Sequence, residues 1–346
     1  MAQIDKPNLH FNTKLYTGNG STQSITGVNF RPDLVWIKGR SDASWHRLQD
    51  AVRGATKEIY SNATNAEGTD ANTLTSFDSD GFSLGTAVDY NGSGRTQVAW
   101  NWKANGQGSS NTDGSINTTY TSANTTSGFS IVKYTGTGAN ATVGHGLGSA
   151  PNVIFFKGTS NASGNWYVYH SSLGHGTRIT LNSNGASASD NEYMNNTAPT
   201  NSLFSLGANG TTNPSGGTQI AYCFAEKKGF SKFGSFEGNN NANGSFVYLG
   251  FKPSLIITKN IDTGGTNYDW LMFDNKRNTR NLNDDFLEAN NTDAETTSGR
   301  NAVDFLSNGF KCRSSYGDLN SNQTYIYMAF AENPLVGSNN IPATAR

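Results

Sequence analysis

A single pattern is written three times along the chain. A proline is followed six residues later by a lysine across an apolar run: Pro32 and Lys38, Pro151 and Lys157, Pro253 and Lys259. A tryptophan follows each lysine (Trp45, Trp166, Trp270). Each copy opens with an aromatic residue and a glycine turn (16–18, 134–136, 236–238) and closes with a long apolar strand (96–102, 218–224, 324–330). From the opening aromatic to the proline is 16, 17 and 17 residues. From Phe82, Phe204 and Phe310 to the middle of the closing strand is 18 in every copy. Such self-similarity has to be recognised before a fold is assigned. It makes the chain an array of one unit rather than one large enzyme core.

The copies run over 11–104, 128–226 and 230–333, each about 100 residues, a size that can bury a core. Residues 1–10 read as a short polar arm and 334–346 as a tail. Residues 105–127 have linker composition, with Ile116 and Tyr120 almost alone as apolar residues. Only 227–229 separate the second and third copies. These two are therefore expected to pack as a fixed pair, with the first tethered more loosely.

The apolar runs after each proline read as strands buried on both faces. The closing strands alternate, with Val98, Trp100 and Trp102 on one face, matched by Ile220, Tyr222 and Phe224, and by Ile326, Met328 and Phe330. Seven Asn-Gly dipeptides supply turn signals of the positive-φ kind. Helical periodicity is confined to a turn or two at 284–289. The expected fold is all-β: three tandem antiparallel β-sandwich modules of lectin or jelly-roll type. The proline suits a strand start, and the lysine at strand exit is expected to reach up to water.

Charged residues make up only 15% of the chain and the net charge is −1. There is no basic run of the kind that meets nucleic acid, and no apolar stretch of about 20 residues that would enter a membrane. The start has no apolar signal region, so production without Sec-type export is expected. Cys223 and Cys312 have no counterparts in the first copy and read as buried free thiols. The five histidines lack metal-ligand spacing, and neither a nucleophile elbow nor a phosphate loop is present. Asp78 and Asp80 hint at calcium, but the third copy has Leu306 and Asn308 there, and a turn explains both. No cofactor, metal or catalytic residue is assigned, and the protein is expected not to be an enzyme.

The first and third copies share one set of positions that could bind a ligand. Asp50 and Arg53 match Asp274 and Arg277, with Glu67 and Glu295 further on and Trp45 and Trp270 just before. Carboxylate, guanidinium and indole together suit a sugar. The same residues also read as a salt bridge that closes a turn. The middle copy has His170 in place of the aspartate.

The motifs at 30–38, 50–54, 76–84, 98–103, 229–234, 304–311 and 325–334 resemble an uncharacterised repeat domain family found in virion proteins of tailed phages that infect marine bacteria. The resemblance runs over 11–334. It implies a structural protein, displayed on the capsid or tail as a decoration or appendage. Other virion proteins and further copies of the chain would be its partners, and a host-surface glycan is the alternative ligand of a receptor-binding fibre or spike. It would be made in the host cytoplasm and carried on the outside of the particle. The family brings no catalytic residues with it.

Overall fold

The computed structural model describes residues 3–160, 164–297, 299–337 and 342–344. The protein is all-β, built from antiparallel sheets. Repeat one forms a six-stranded sheet in the order Phe11–Thr17, Thr96–Trp102, Leu34–Gly39, Arg47–Asp50, Lys57–Tyr60, Gly68–Thr69. Repeat three repeats that order with Ser231–Glu237, Thr324–Pro334, Phe251–Asn260, Leu271–Asp274, Asp285–Glu288 and Thr296–Thr297. Repeat two does so from Phe129–Thr135 to Ala188–Ser189, with Tyr120–Asn124 added at one edge. A small sheet of two or three strands accompanies each large one. These are Gln23–Thr26 with Gly81–Leu84 and Leu74–Asp78; Ala141–Gly144 with Leu203–Leu206; and Phe246–Tyr248 with Gly309–Cys312 and Val303–Leu306.

The alternation of the closing strands decides the arrangement. Ala99, the pair Ala221 and Cys223, and the pair Tyr327 and Ala329 face three separate cores, each shared with the small sheet of the same repeat. The opposite faces all enter one common core, which takes residues from every repeat. Trp102, Phe224 and Phe330 hold equivalent positions and meet there, with ring centroids 5.6, 5.9 and 6.3 Å apart pairwise. Three equivalent residues in mutual contact define a pseudo-threefold axis. The packing beside it leaves a void of only about 10 Å³.

The repeats latch around this axis in cyclic order. Backbone N–H groups of Glu67, Ser187 and Glu295 donate to the carbonyls of Thr159, Ile261 and Arg40, linking one to two, two to three and three to one. The Trp166 indole donates to Tyr60 O at 2.7 Å, and that of Trp270 to Thr180 O at 3.0 Å. His46, not Trp45, holds the matching place in repeat one. The backbone N–H groups of His46, Trp166 and Trp270 all donate to an asparagine, Asn62, Asn182 or Asn290. His46 Nδ1 accepts from the Trp36 indole at 3.0 Å, which leaves the ring proton on Nε2. That nitrogen faces the Glu288 carbonyl of repeat three without regular hydrogen-bond geometry. The histidine thus keeps the ring donor that its counterparts supply.

The lysines do not reach water. Lys38, Lys157 and Lys259 are fully buried, because each strand end abuts a neighbouring segment. Lys38 Nζ donates to Gly39 O and to Thr292 O of repeat three, and Lys157 Nζ to Gly164 O and to Thr64 O of repeat one. Lys259 Nζ donates to Asn260 O at 2.6 Å. Burial pulls each ammonium down to about 8.

Several expectations are corrected. Repeat one is not loosely tethered, since it is latched to both others. The 105–127 segment belongs to repeat two: Tyr120–Asn124 pairs with Phe129–Thr135, and Ile116 enters that repeat's own core. Within the arm, Ile4 is buried in the common core and its N–H donates to Lys228 O. The 284–289 segment contains a strand, Asp285–Glu288, because Phe286 and Leu287 face different cores. The helical turn lies instead at Val88–Asn91. Of the seven Asn-Gly glycines only Gly20 and Gly106 have positive φ. Gly309 is required by close approach, since a Cβ there would meet Val247 O at 2.0 Å.

A common core predicts one cooperative unfolding transition, with calorimetric and van't Hoff enthalpies equal. Three resolved transitions would contradict the arrangement. The lysines also give stability a pH dependence. Between about 8 and the ordinary lysine value the unfolded chain binds more protons than the folded one, so stability rises with pH across that window. Above about pH 10 the trend reverses, because burial holds Tyr90, Tyr134 and Tyr222 well above the normal tyrosine range. Unfolding midpoints measured from pH 7 to 11 should peak near pH 10, with a shallower rise in Lys38→Met.

Candidate binding site

The eight residues singled out in sequence fall into two environments. Asp50 and Arg53 are fully buried side chains, joined Oδ2 to Nε at 2.5 Å, and Asp274 and Arg277 repeat this at 2.6 Å. Each aspartate also takes backbone N–H groups through Oδ1: those of Val52 and Arg53, or of Lys276 and Arg277. This closes the turn. Each arginine continues to a backbone carbonyl, Leu48 O or Met272 O, and to a glutamate, Glu67 at 3.4 Å or Glu295 at 3.2 Å. Glu295 also pairs with Arg40 of repeat one at 2.7 Å. Burial would raise the Asp274 carboxyl, but Arg277 beside it holds it below the usual carboxylate value.

Each aspartate also meets a donor from the closing strand of another repeat. Tyr222 OH donates to Asp50 Oδ2 at 2.7 Å, and Trp100 Nε1 to Asp274 Oδ2 at 3.1 Å. The third such contact lies between repeats two and three, where the closing residue is Met328 and has no donor. His170 stands there in place of aspartate. Burial drives its pKa down to about 4, and Nε2 lies 3.2 Å from Tyr327 O. The missing Asp-x-x-Arg of repeat two therefore follows from its neighbour's chemistry. Trp270 is 1% exposed and offers no face to a ligand. These residues join repeats.

Trp45 is different. The residue is 37% exposed, in a cleft of about 430 Å³ lined by Ala43, Ser44, Trp45, Arg47, Glu58, Tyr60 and Asp89. Tyr60 meets the indole edge-on at 4.5 Å. Arg47 Nη1 donates to Trp45 O at 3.0 Å, Nη2 pairs with Asp89 at 2.5 Å and Nε lies 3.6 Å from Glu58. The hydroxyls of Tyr60 and Tyr90 donate to the two oxygens of Glu58, at 2.7 and 2.5 Å. Burial, and then Glu58, push both phenols up, so they remain donors. Tyr90 comes from the helical turn that sequence reasoning missed. A larger cleft of about 640 Å³ lies between repeats two and three, but Lys232 there covers the ring of Tyr248 at 5.3 Å.

Asp80 accepts from the N–H groups of Gly27 and Asn29, and Asp78 from the hydroxyls of Ser76 and Ser83, which accounts for the acidic pair as a turn. Cys223 and Cys312 are free and buried. Among the described residues no group of three His, Cys, Asp or Glu is placed to hold a metal ion, and no helix is long and apolar enough to cross a membrane.

Residues 6–334 match a single family, described as a domain of unknown function (DUF7483). The chain belongs to that family. One match spans all three repeats and the links between them, in keeping with a unit whose core is shared. Comparison with curated proteins and with solved structures finds no match.

The two environments predict opposite mutational behaviour. Arg53→Met leaves Asp50 buried without its cation and should cost about 3–5 kcal/mol in denaturant unfolding. Trp45→Ala, at an exposed ring, should cost under about 1 kcal/mol. Equal costs would remove the distinction.

Proposed function

We propose that the protein is a non-enzymatic structural component of a phage particle, displayed on its capsid or tail as a decoration or appendage. The observation that carries this reading is the cyclic latching of three repeats around one shared core. Such a body suits exposure outside a cell. Each large sheet with its small partner is read as a lectin-like β-sandwich module, and the motif resemblance points the same way. Capsid or tail proteins and further copies of the chain are its partners. Mass spectrometry of purified particles should find the protein at fixed stoichiometry. Abundance in infected-cell lysate with absence from particles would overturn the proposal.

The Trp45 cleft favours a second reading, in which the same body acts as a carbohydrate-binding adhesin of a receptor-binding fibre or spike. An exposed indole rimmed by carboxylate and guanidinium groups suits a sugar ring, which stacks by its apolar face and hydrogen-bonds at its edge. On an array of bacterial surface glycans the protein should show binding that Trp45→Ala abolishes. Binding no better than background would remove this reading and leave the display role standing.

A further inference from the structure

We infer that the Trp45 cleft accepts uncharged pyranosides, excludes acidic ones, and occurs once per chain. This rests on the glycan-binding reading above and adds the ligand's charge and stoichiometry.

The charge argument starts from Arg47, the one cation among the described residues that line the cleft. All three of its guanidinium nitrogens are engaged, with Trp45 O, Asp89 and Glu58. Arg95, the next cation outward, is held by Asp42 at 2.8 Å and by Asp89 at 3.5 Å. Within the lining the carboxylates of Glu58 and Asp89 face a single guanidinium, that of Arg47, an excess of one negative charge. A uronate or a sulfated sugar would find no uncommitted cation and would meet Asp89, whose side chain is 49% exposed. Like charges at such range repel. A neutral ring meets no such opposition. Its hydroxyls donate to Asp89 while its apolar face lies on Trp45, which Tyr60 and the Arg47 bond to Trp45 O hold in place.

The stoichiometry argument comes from the equivalent positions. Repeat two has Asn165, Tyr167 and Arg178 where repeat one has Trp45, Arg47 and Glu58. There Arg178 lies 4.1 Å over the ring of Tyr167, which is itself buried, and pairs with Asp190. Repeat three has Asp269, Leu271 and Phe286, of which the last two are buried. Among the described residues no free ring replaces Trp45 in either.

The test is calorimetric titration of the full chain with maltohexaose, cellohexaose, hexagalacturonate and the methyl ester of hexagalacturonate. The ester keeps the ring and removes its charge. At least one neutral probe should bind with one site per chain and at least tenfold more tightly than the free uronate. Trp45→Ala should abolish that binding, with the unfolding midpoint showing that the variant is folded. Asp89→Asn should narrow the gap between ester and acid at least threefold. Trp45-dependent binding that favours the acid, or two or more sites per chain, would overturn this inference and leave glycan binding intact. Absence of Trp45-dependent binding to every probe would overturn both.

Discussion

Each closing strand has two apolar faces, and its own repeat can cover only one of them. The small sheet of each repeat shields Ala99, Cys223 or Ala329 and their neighbours. The other face carries Trp100 and Trp102, Tyr222 and Phe224, or Met328 and Phe330. An isolated repeat would expose it as a contiguous apolar patch of the kind that soluble monomers avoid. Three such faces turned to one axis remove the problem together. Most of the molecule follows from that closure, including the buried lysines, the ring donors and the cyclic backbone bonds.

Closure by three copies of one pattern would suggest three identical joints, yet the joints have diverged in matched pairs. Where the closing strand brings a donor, Tyr222 or Trp100, it meets a buried aspartate that an arginine of the same turn neutralises. Where it brings Met328, His170 stands in the aspartate's place, held neutral by burial and set against Tyr327 O, and the arginine is gone. Removing one member of a buried ion pair is costly because the other charge stays behind. Aspartate and arginine have accordingly been replaced together. His46 shows the same logic: it replaces the latch tryptophans and still presents a ring N–H.

Much of the fold was legible because periodicity reports which faces are covered. The buried proline strands and the alternating closing strands follow from the order of apolar residues alone, and the free thiols from cysteines that have no counterparts in the first copy. The cyclic arrangement was not legible, since nothing in a single repeat shows that a neighbour will cap the end of its strand. That is why the lysines read as solvent-seeking. Trp45 follows its lysine as Trp166 and Trp270 follow theirs, but it stands one residue before their structural equivalent, His46. The asparagine that follows His46, Trp166 and Trp270 by 16, 16 and 20 residues carried the true register. Seven of the eight candidate residues stand where repeats join, because a position kept in two repeats marks a joint. A recognition cleft is better sought where one repeat departs from the others, as at Trp45.

The joint between repeats one and three also imposes an order on synthesis. Lys38 reaches a carbonyl 254 residues away, and Arg40 a glutamate 255 away. Repeat one leaves the ribosome with Trp100 and His46 uncovered, and the residues that cover them follow only in repeat three, Asp274 coming 174 residues after Trp100. Pairing across such separations is slow, and exposed apolar faces are prone to aggregate in the interval. The low charge of the chain gives little electrostatic protection meanwhile. The asparagines, serines and threonines that fill its loops offer a different one, since they keep unpaired strand edges hydrated until the ring can close.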